Sequence, residues 1–218
     1  MSKKRIKIVI FDFDGVLNNS LLAHLEFLRD MKKRYSNQYA LDFEIPNTEK
    51  EGRKIVACPM RNFVKKAGFH NKELVDLIVN NYESFFFEKY PTSIFSGVKE
   101  MLCALKKKEI ALSVASSNVF ENIKKSLYDY LGYVDYVLTL DNSFESKKEK
   151  IQKILEEKAV NPKKGIFVGD MRSDYEAAKK ARISFVGVKY GWGGFLKGNE
   201  KFPVAENIQE LTNILLSF

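Results

Sequence analysis

A chain of 218 residues, 45% hydrophobic and 29% charged, is long enough to bury a real core, which excludes a disordered or fibrous protein. No segment is long and apolar enough to span a bilayer, and the basic start MSKKRIKIVIF reaches acidic residues too soon for a signal peptide. The formal net charge of +8 raises the question of nucleic acid, but the lysines are scattered in short runs (KKR, KKK, KK) on polar helix faces. They read as solvated surface that also attracts a small anion, so neither nucleic acid nor membrane is the expected partner. Cys58 and Cys103 are far apart and lack metal-ligand spacing, which fits a reducing cytosol and a cytoplasmic protein.

In chain order, IKIVIF reads as a buried strand that ends in Asp12 and Asp14. From Ser20 to Pro91 no comparable β-run occurs, and LLAHLEFLRDMKKRY, PMRNFVKKAGF and KELVDLIVNNYESFFFEKY carry helical spacing. After Phe95 the pattern alternates: helix SGVKEMLCALKKKE, strand Ile110 to Ala115, helix NVFENIKKSLYDYL, strand YVDYVLTL and helix KEKIQKILEEKA. Strand Gly165 to Val168, helix SDYEAAKKA, strand Ile183 to Val188 and a closing helix Ile208 to Leu216 complete it. Alternation of this kind predicts an α/β fold with a doubly wound parallel sheet, and the helical stretch predicts an inserted α-helical domain. The expected division is 1–17 with 92–218 as the α/β domain and 18–91 as the helical insert.

Ligands of an open parallel sheet bind beyond the carboxyl ends of its strands. Period two sends Asp12 and Asp14 to one side there, and two such anions are tolerated when a proton or a cation is shared, which points to a hard divalent ion, Mg²⁺ by preference. Gly15 allows a tight turn whose N–H groups face a phosphate. The next strand ends in Ser116, Ser117 and Asn118, a later one in Gly169 and Asp170 with Asp174 following, and Lys147 and Lys148 open a helix. Carboxylates, a hydroxyl and an ammonium thus gather at one sheet edge.

Four motifs, DFDGVL, the apolar run ending in Ser116, the lysine of SKKEKI, and GDMRSD, stand in the order found in the haloacid dehalogenase superfamily, which the chain resembles over nearly its whole length. SGVKEMLCAL, VGVKYGWGG and ENIQEL look like the phosphoglycolate phosphatase-type members with a helical cap. The resemblance implies a Rossmann-like catalytic core, with Asp12 as nucleophile forming an aspartyl-phosphate and Asp14 as general acid and base. It also implies Mg²⁺ held by Asp12, the Asp14 carbonyl and Asp170, with Asp174 orienting metal-bound water or the lysine. Ser116 and Lys147 would stabilise the phosphoryl oxygens, Lys147 being preferred to Lys148 because it stands four residues before Ile151, and Gly15, Ser117 and Asn118 would supply amides. In the insert, Arg53 and Arg61 would recognise a substrate carboxylate or second phosphate. Asn19 stands where relatives carry aspartate and would cap the first helix of the insert. The expected substrate is a small phosphorylated metabolite, handled by a monomer or homodimer. A β-phosphoglucomutase-type transferase, with His24 as a catalytic group, and a non-catalytic scaffold are the competing readings. The run Phe85 to Phe87 is expected to pack the insert on the core.

Overall fold

The structure, a computed structural model, describes residues 5–193 and 200–218. Lys3 and Lys4 of the first basic run, and Gly194 of the glycine-flanked tryptophan loop, lie outside the described residues. In chain order the elements are β1 (Ile8–Phe11), β2 (Asn18–Asn19), α1 (Leu21–Tyr35), α2 (Glu49–Ile55), α3 (Met60–Lys66), α4 (Lys72–Lys89) and β3 (Ser93–Ile94). They continue with α5 (Val98–Lys107), β4 (Ala111–Ala115), α6 (Phe120–Ser126), β5 (Tyr136–Leu138) and α7 (Lys147–Glu157). The last are β6 (Gly165–Gly169), α8 (Arg172–Ala181), β7 (Ser184–Val188), β8 (Val204–Ala205) and α9 (Ile208–Ser217). The expected helix from Asn118 to Leu131 is shorter: it stops at Ser126 and passes into a 3₁₀ segment, Tyr128–Tyr133.

Two compact units divide the chain, one formed by 1–19 with 93–218 and the other by 20–92. The first holds a parallel sheet in the order β5-β4-β1-β6-β7-β8, with β1 at its centre. Alternation along β1 explains why both faces are covered. Val9 and Phe11 pack with Val98, Leu102 and Leu105 of α5 and Leu211 and Leu215 of α9. Ile8 and Ile10 enter the opposite layer with Ile151 and Ile154 of α7 and Ala177 and Ala178 of α8. A one-residue slip of β1 would exchange these sets, so the register Ile8↔Ala111 and Ile8↔Gly165 is fixed by packing on both sides. That register delivers Asp12 and Asp170 to neighbouring positions at the same edge.

Short β2 and β3 pair antiparallel, Asn19 opposite Ser93, where the chain leaves and rejoins this unit. Asn19 is therefore a strand residue and not a helix cap; the capping position of α1 is Ser20, whose side chain makes no capping bond. The sequence gives β2, β3 and β8 only two residues each, too few for a periodic signal.

The second unit is helical. Thr48 caps α2 and Asn71 caps α4 through side-chain oxygens that accept amide N–H bonds. Its centre is aromatic: Phe27, Phe86 and Tyr90 are buried, with Phe27 edge-on to both others. Phe86 of the FFF run is thus core of the helical unit itself.

Candidate active site

The carboxyl ends of β1, β4 and β6 and the start of α7 build the site. The Asp12 N–H donates to the Val168 carbonyl at 2.9 Å, extending the β1–β6 ladder by one residue. Its Oδ1 accepts the Phe13 N–H at 2.8 Å and its Oδ2 lies 2.8 Å from the Lys147 ammonium. Lys147 also reaches Asp174 Oδ1 at 2.5 Å. Asp174 in turn accepts the Met171 N–H at 3.0 Å, which pins it to the first turn of α8. Ser146 begins α7 by accepting the Glu149 N–H at 3.4 Å, so Lys147 occupies the first helical position and points to the sheet edge. Lys148 makes none of these contacts among the described residues.

Asp12, Asp170 and Asp174 each offer a carboxylate oxygen within 4.8 Å of the others, and all three are buried. Burial dominates the electrostatics of Asp12 and Asp170. It lifts the Asp12 carboxyl to about 7, against the pull of Lys147 and with the push of Asp174. It also lifts Asp170 well above the carboxylate range, with Asp174 and Asp12 adding to the effect. Burial pushes the Lys147 ammonium down, but Asp12 and Asp174 outweigh it and hold the group firmly protonated. One cation among three carboxylates leaves the cluster short of positive charge.

Asp170 supports the same conclusion. Its Oδ2 accepts the Trp192 N–H at 2.6 Å, while its Oδ1 is buried with no hydrogen-bond partner among the described residues. An orphaned oxygen on a carboxylate that clusters with two other acids fits a hard divalent cation with oxygen ligands.

The Asp14 side chain stands outside that cluster. Its Oδ1 accepts from Asn18 Nδ2 at 2.9 Å and its Oδ2 from Asn118 Nδ2 at 2.8 Å. Asn118 is itself held, its Oδ1 accepting the Val119 N–H and Asn122 Nδ2. The Asn118 N–H donates to Ser116 Oγ at 3.0 Å, so the expectation that this amide faces a ligand is corrected: Asn118 contributes its side chain. Ser117 is exposed, and its N–H has no acceptor among the described residues.

Gly15 closes the turn with φ at +78°, and a Cβ there would stand 2.2 Å from Asp170 Oδ2. Gly191 is equally constrained, since its Cβ would meet the Gly15 carbonyl at 2.1 Å. Gly15→Ala is expected to displace Asp170 and to strain the left-handed backbone, lowering the melting temperature by several degrees and weakening divalent-ion binding at least about tenfold. Thermal melts and metal titration of the variant check this; wild-type metal affinity would contradict it.

Arg53 and Arg61 lie in the helical unit, and each engages an acid there: Arg53 lies 2.9 Å from Glu49, and Arg61 pairs with Asp76. His24 is buried in the same unit, with Nδ1 2.7 Å from the Ser20 carbonyl, Nε2 3.0 Å from the Tyr82 hydroxyl and Phe86 4.3 Å from its ring centre. Three participants escape a motif-based reading. Asn18 is signalled only by a polar residue in the apolar run VLNN, and the Trp192 N–H not at all. Lys150, whose ammonium reaches the Ser116 carbonyl at 2.6 Å, is signalled by its i+3 spacing from Lys147 on one helix face.

Residues 9–188 match the family of haloacid dehalogenase-like hydrolases, and the chain belongs to that family. It is similar to a phosphoglycolate phosphatase of Synechococcus elongatus, 25% identical over 86% of this chain and 85% of the relative. A pyrophosphatase of Bacillus velezensis is 25% identical over 98% of both chains. Among solved structures, one from Clostridium difficile superposes with a TM-score of 0.79 at 27% identity, covering 98% of this chain and 100% of the other. A haloacid dehalogenase-like hydrolase from Streptococcus pneumoniae shares the fold, with a TM-score of 0.80 at 17% identity over 96% and 98% of the two chains. No helix among the described residues is long and apolar enough to cross a membrane.

Proposed function

We propose that the protein is a Mg²⁺-dependent phosphatase that hydrolyses a small phosphorylated metabolite through an aspartyl-phosphate on Asp12. The observation that carries this reading is the contact of one partly buried lysine with two buried acids from different elements, Lys147 with Asp12 and Asp174. A cation held against a carboxylate keeps that carboxylate oriented and available as a nucleophile, and it can then follow the phosphoryl oxygens. Asp14, steadied by Asn18 and Asn118, is the group that gives a proton to the leaving oxygen and later takes one from water. Ser116 Oγ and the Ser117 N–H are the donors for the equatorial oxygens.

Asp12 and Asp170, with the Asp14 carbonyl, would hold the ion, and Asp174 would keep Lys147 in place from behind. Bound there, Mg²⁺ supplies charge neutralisation between the carboxylates and the incoming phosphate. The helical unit 20–92 acts as a cap that selects substrate. Arg53 and Arg61 would exchange Glu49 and Asp76 for a substrate carboxylate or phosphate, which suits phosphoglycolate or pyrophosphate. His24 has both ring nitrogens engaged within the helical unit, which counts against a mutase role. The test is phosphate release from a panel of phosphoglycolate, pyrophosphate, nucleotides, sugar phosphates and an aryl phosphate, with Mg²⁺ and with chelator. Metal-dependent turnover is expected; isomerisation of β-glucose 1-phosphate without hydrolysis would contradict the reading.

The raised Asp12 carboxyl gives a pH prediction. Between the ordinary carboxylate value of about 4 and the folded value, the folded protein holds a proton that the unfolded chain has released. That contribution to stability is fully present below about pH 4 and is lost as pH rises through about 7. In chelator, the melting temperature is therefore expected to fall from about pH 5 to about pH 8, and Mg²⁺ is expected to raise it more at the higher pH. Melts at both values check this, and a metal-free protein that gains stability over the same interval would contradict it.

A further inference from the structure

Lys150 is 4% exposed, and its ammonium has one hydrogen bond among the described residues, 2.6 Å to the Ser116 carbonyl. Three effects oppose a charge at this place. Burial of an ammonium is costly, Lys147 one turn away has the same sign, and both stand near the helix N-terminus, where the dipole disfavours cations. The neighbouring positions Ile151 and Ile154 show that this helix face accepts aliphatic side chains. A methionine of similar length would meet none of the three penalties. The charge is therefore not there for stability.

What the ammonium touches gives it a use. The Ser116 carbonyl and the Ser117 N–H belong to one peptide unit. A charge-assisted bond to the oxygen fixes the plane of that unit and draws electron density from its nitrogen, which strengthens the N–H as a donor. Among the described residues that N–H is the one left without an acceptor in the turn, while the Asn118 N–H beside it is satisfied by Ser116 Oγ.

We propose that Lys150 is a positioning residue for phosphate: held on the Ser116 carbonyl, it orients and polarises the Ser116–Ser117 peptide so that the Ser117 N–H binds a phosphoryl oxygen. The proposal rests on the phosphatase reading of the same site. Burial and Lys147 bring the Lys150 ammonium down to about 8, against the pull of Asp12 from the end of β1 and Asp141 from the loop after β5. The group is charged below that value and neutral above it, so phosphate affinity should weaken as pH rises through it.

The experiment compares wild type, Lys150→Met and Lys150→Arg in Mg²⁺, measuring melting temperature, calorimetric affinity for inorganic phosphate and hydrolysis across pH. Lys150→Met is expected to melt at or above the wild-type temperature yet to lose about 10- to 100-fold in phosphate affinity and in kcat, the range of one charge-assisted bond. Lys150→Arg should recover most of both and move the alkaline loss of affinity upward, because arginine stays charged. Wild-type phosphate affinity in Lys150→Met overturns the proposal, as does a loss that tracks a lower melting temperature and is not restored by arginine. Wild type that binds phosphate but hydrolyses no phosphate compound overturns the phosphatase reading instead, and the affinity comparison still decides the role of Lys150. Wild type that binds no phosphate overturns both.

Discussion

Asp12→Asn is expected to reduce phosphate release by at least about 10³-fold while leaving the fold intact, because an amide cannot form the acyl phosphate that divides the reaction into two easier steps. The asparagine carbonyl still accepts the Phe13 N–H, and Lys147 keeps its bond to Asp174, so the local scaffold persists. Removing one of three crowded acids also relieves the repulsion that raises Asp170. The metal-free variant should therefore melt no lower than wild type at about pH 8, where Asp12 would otherwise be charged. Activity and stability then move in opposite directions. A variant that unfolds, or one that keeps a tenth of the wild-type rate, contradicts the assignment of Asp12 as nucleophile.

Lys147→Met should damage both. The lysine lies partly buried between Asp12 and Asp174, with 17% of its side chain exposed against 10% and 0% for theirs. Taking it away leaves two buried carboxylates without their counter-charge, a change of about 3 to 5 kcal/mol where an ion pair is broken on one side only. For a chain of this length that corresponds to a fall of roughly 6 to 20 °C in melting temperature. Mg²⁺ should recover part of the fall, because the cluster can share the ion, and low pH should recover part of it by protonating the acids. The catalytic loss is expected to be about 10² to 10³ in kcat, the size found when one electrostatic donor is removed from a transition state. The same substitution at Lys148 should leave melting and kcat near wild type, since Lys148 makes none of these contacts. Melts and kinetics of the two variants side by side test both statements, and equal effects would contradict the placement of Lys147.

The legible parts of the chain were those whose signal is local. Ile8 to Phe11, Ala111 to Ala115, Gly165 to Gly169 and Ser184 to Val188 are short apolar runs between helical segments, and buried parallel strands look like that whatever surrounds them. Asp12, Asp170 and Asp174 were visible because each closes such a run or opens the helix after it. β8 was not visible, because two residues cannot carry a period. Asn19 departs from the capping expectation for a related reason: capping and strand pairing at Asn19 and Ser20 differ by one residue, and only the partner Ser93, some seventy positions away, decides between them.

Within the site, the unread contacts are those that depend on an element distant in sequence. Asn118 reaches Asp14 across 104 positions, and the Trp192 N–H reaches Asp170 across 22. Arginine in the helical unit illustrates the opposite difficulty. Arg53 and Arg61 are basic in a pattern that suits anion recognition, yet Glu49 one turn earlier and Asp76 on the following helix pair with them. A sequence announces which groups can bind an anion; the fold decides which of them are already engaged.

In the proposed reaction Asp12 carries the phosphoryl group. The direct measurement is an acid quench of the wild-type protein during turnover of a competent phosphate substrate with Mg²⁺, followed by mass spectrometric mapping of the phosphorylated peptide. A phosphoryl group is expected on Asp12, present only during turnover and absent from Asp12→Asn. Full turnover with no modification of Asp12, or a phosphoryl group on a different side chain, would contradict it.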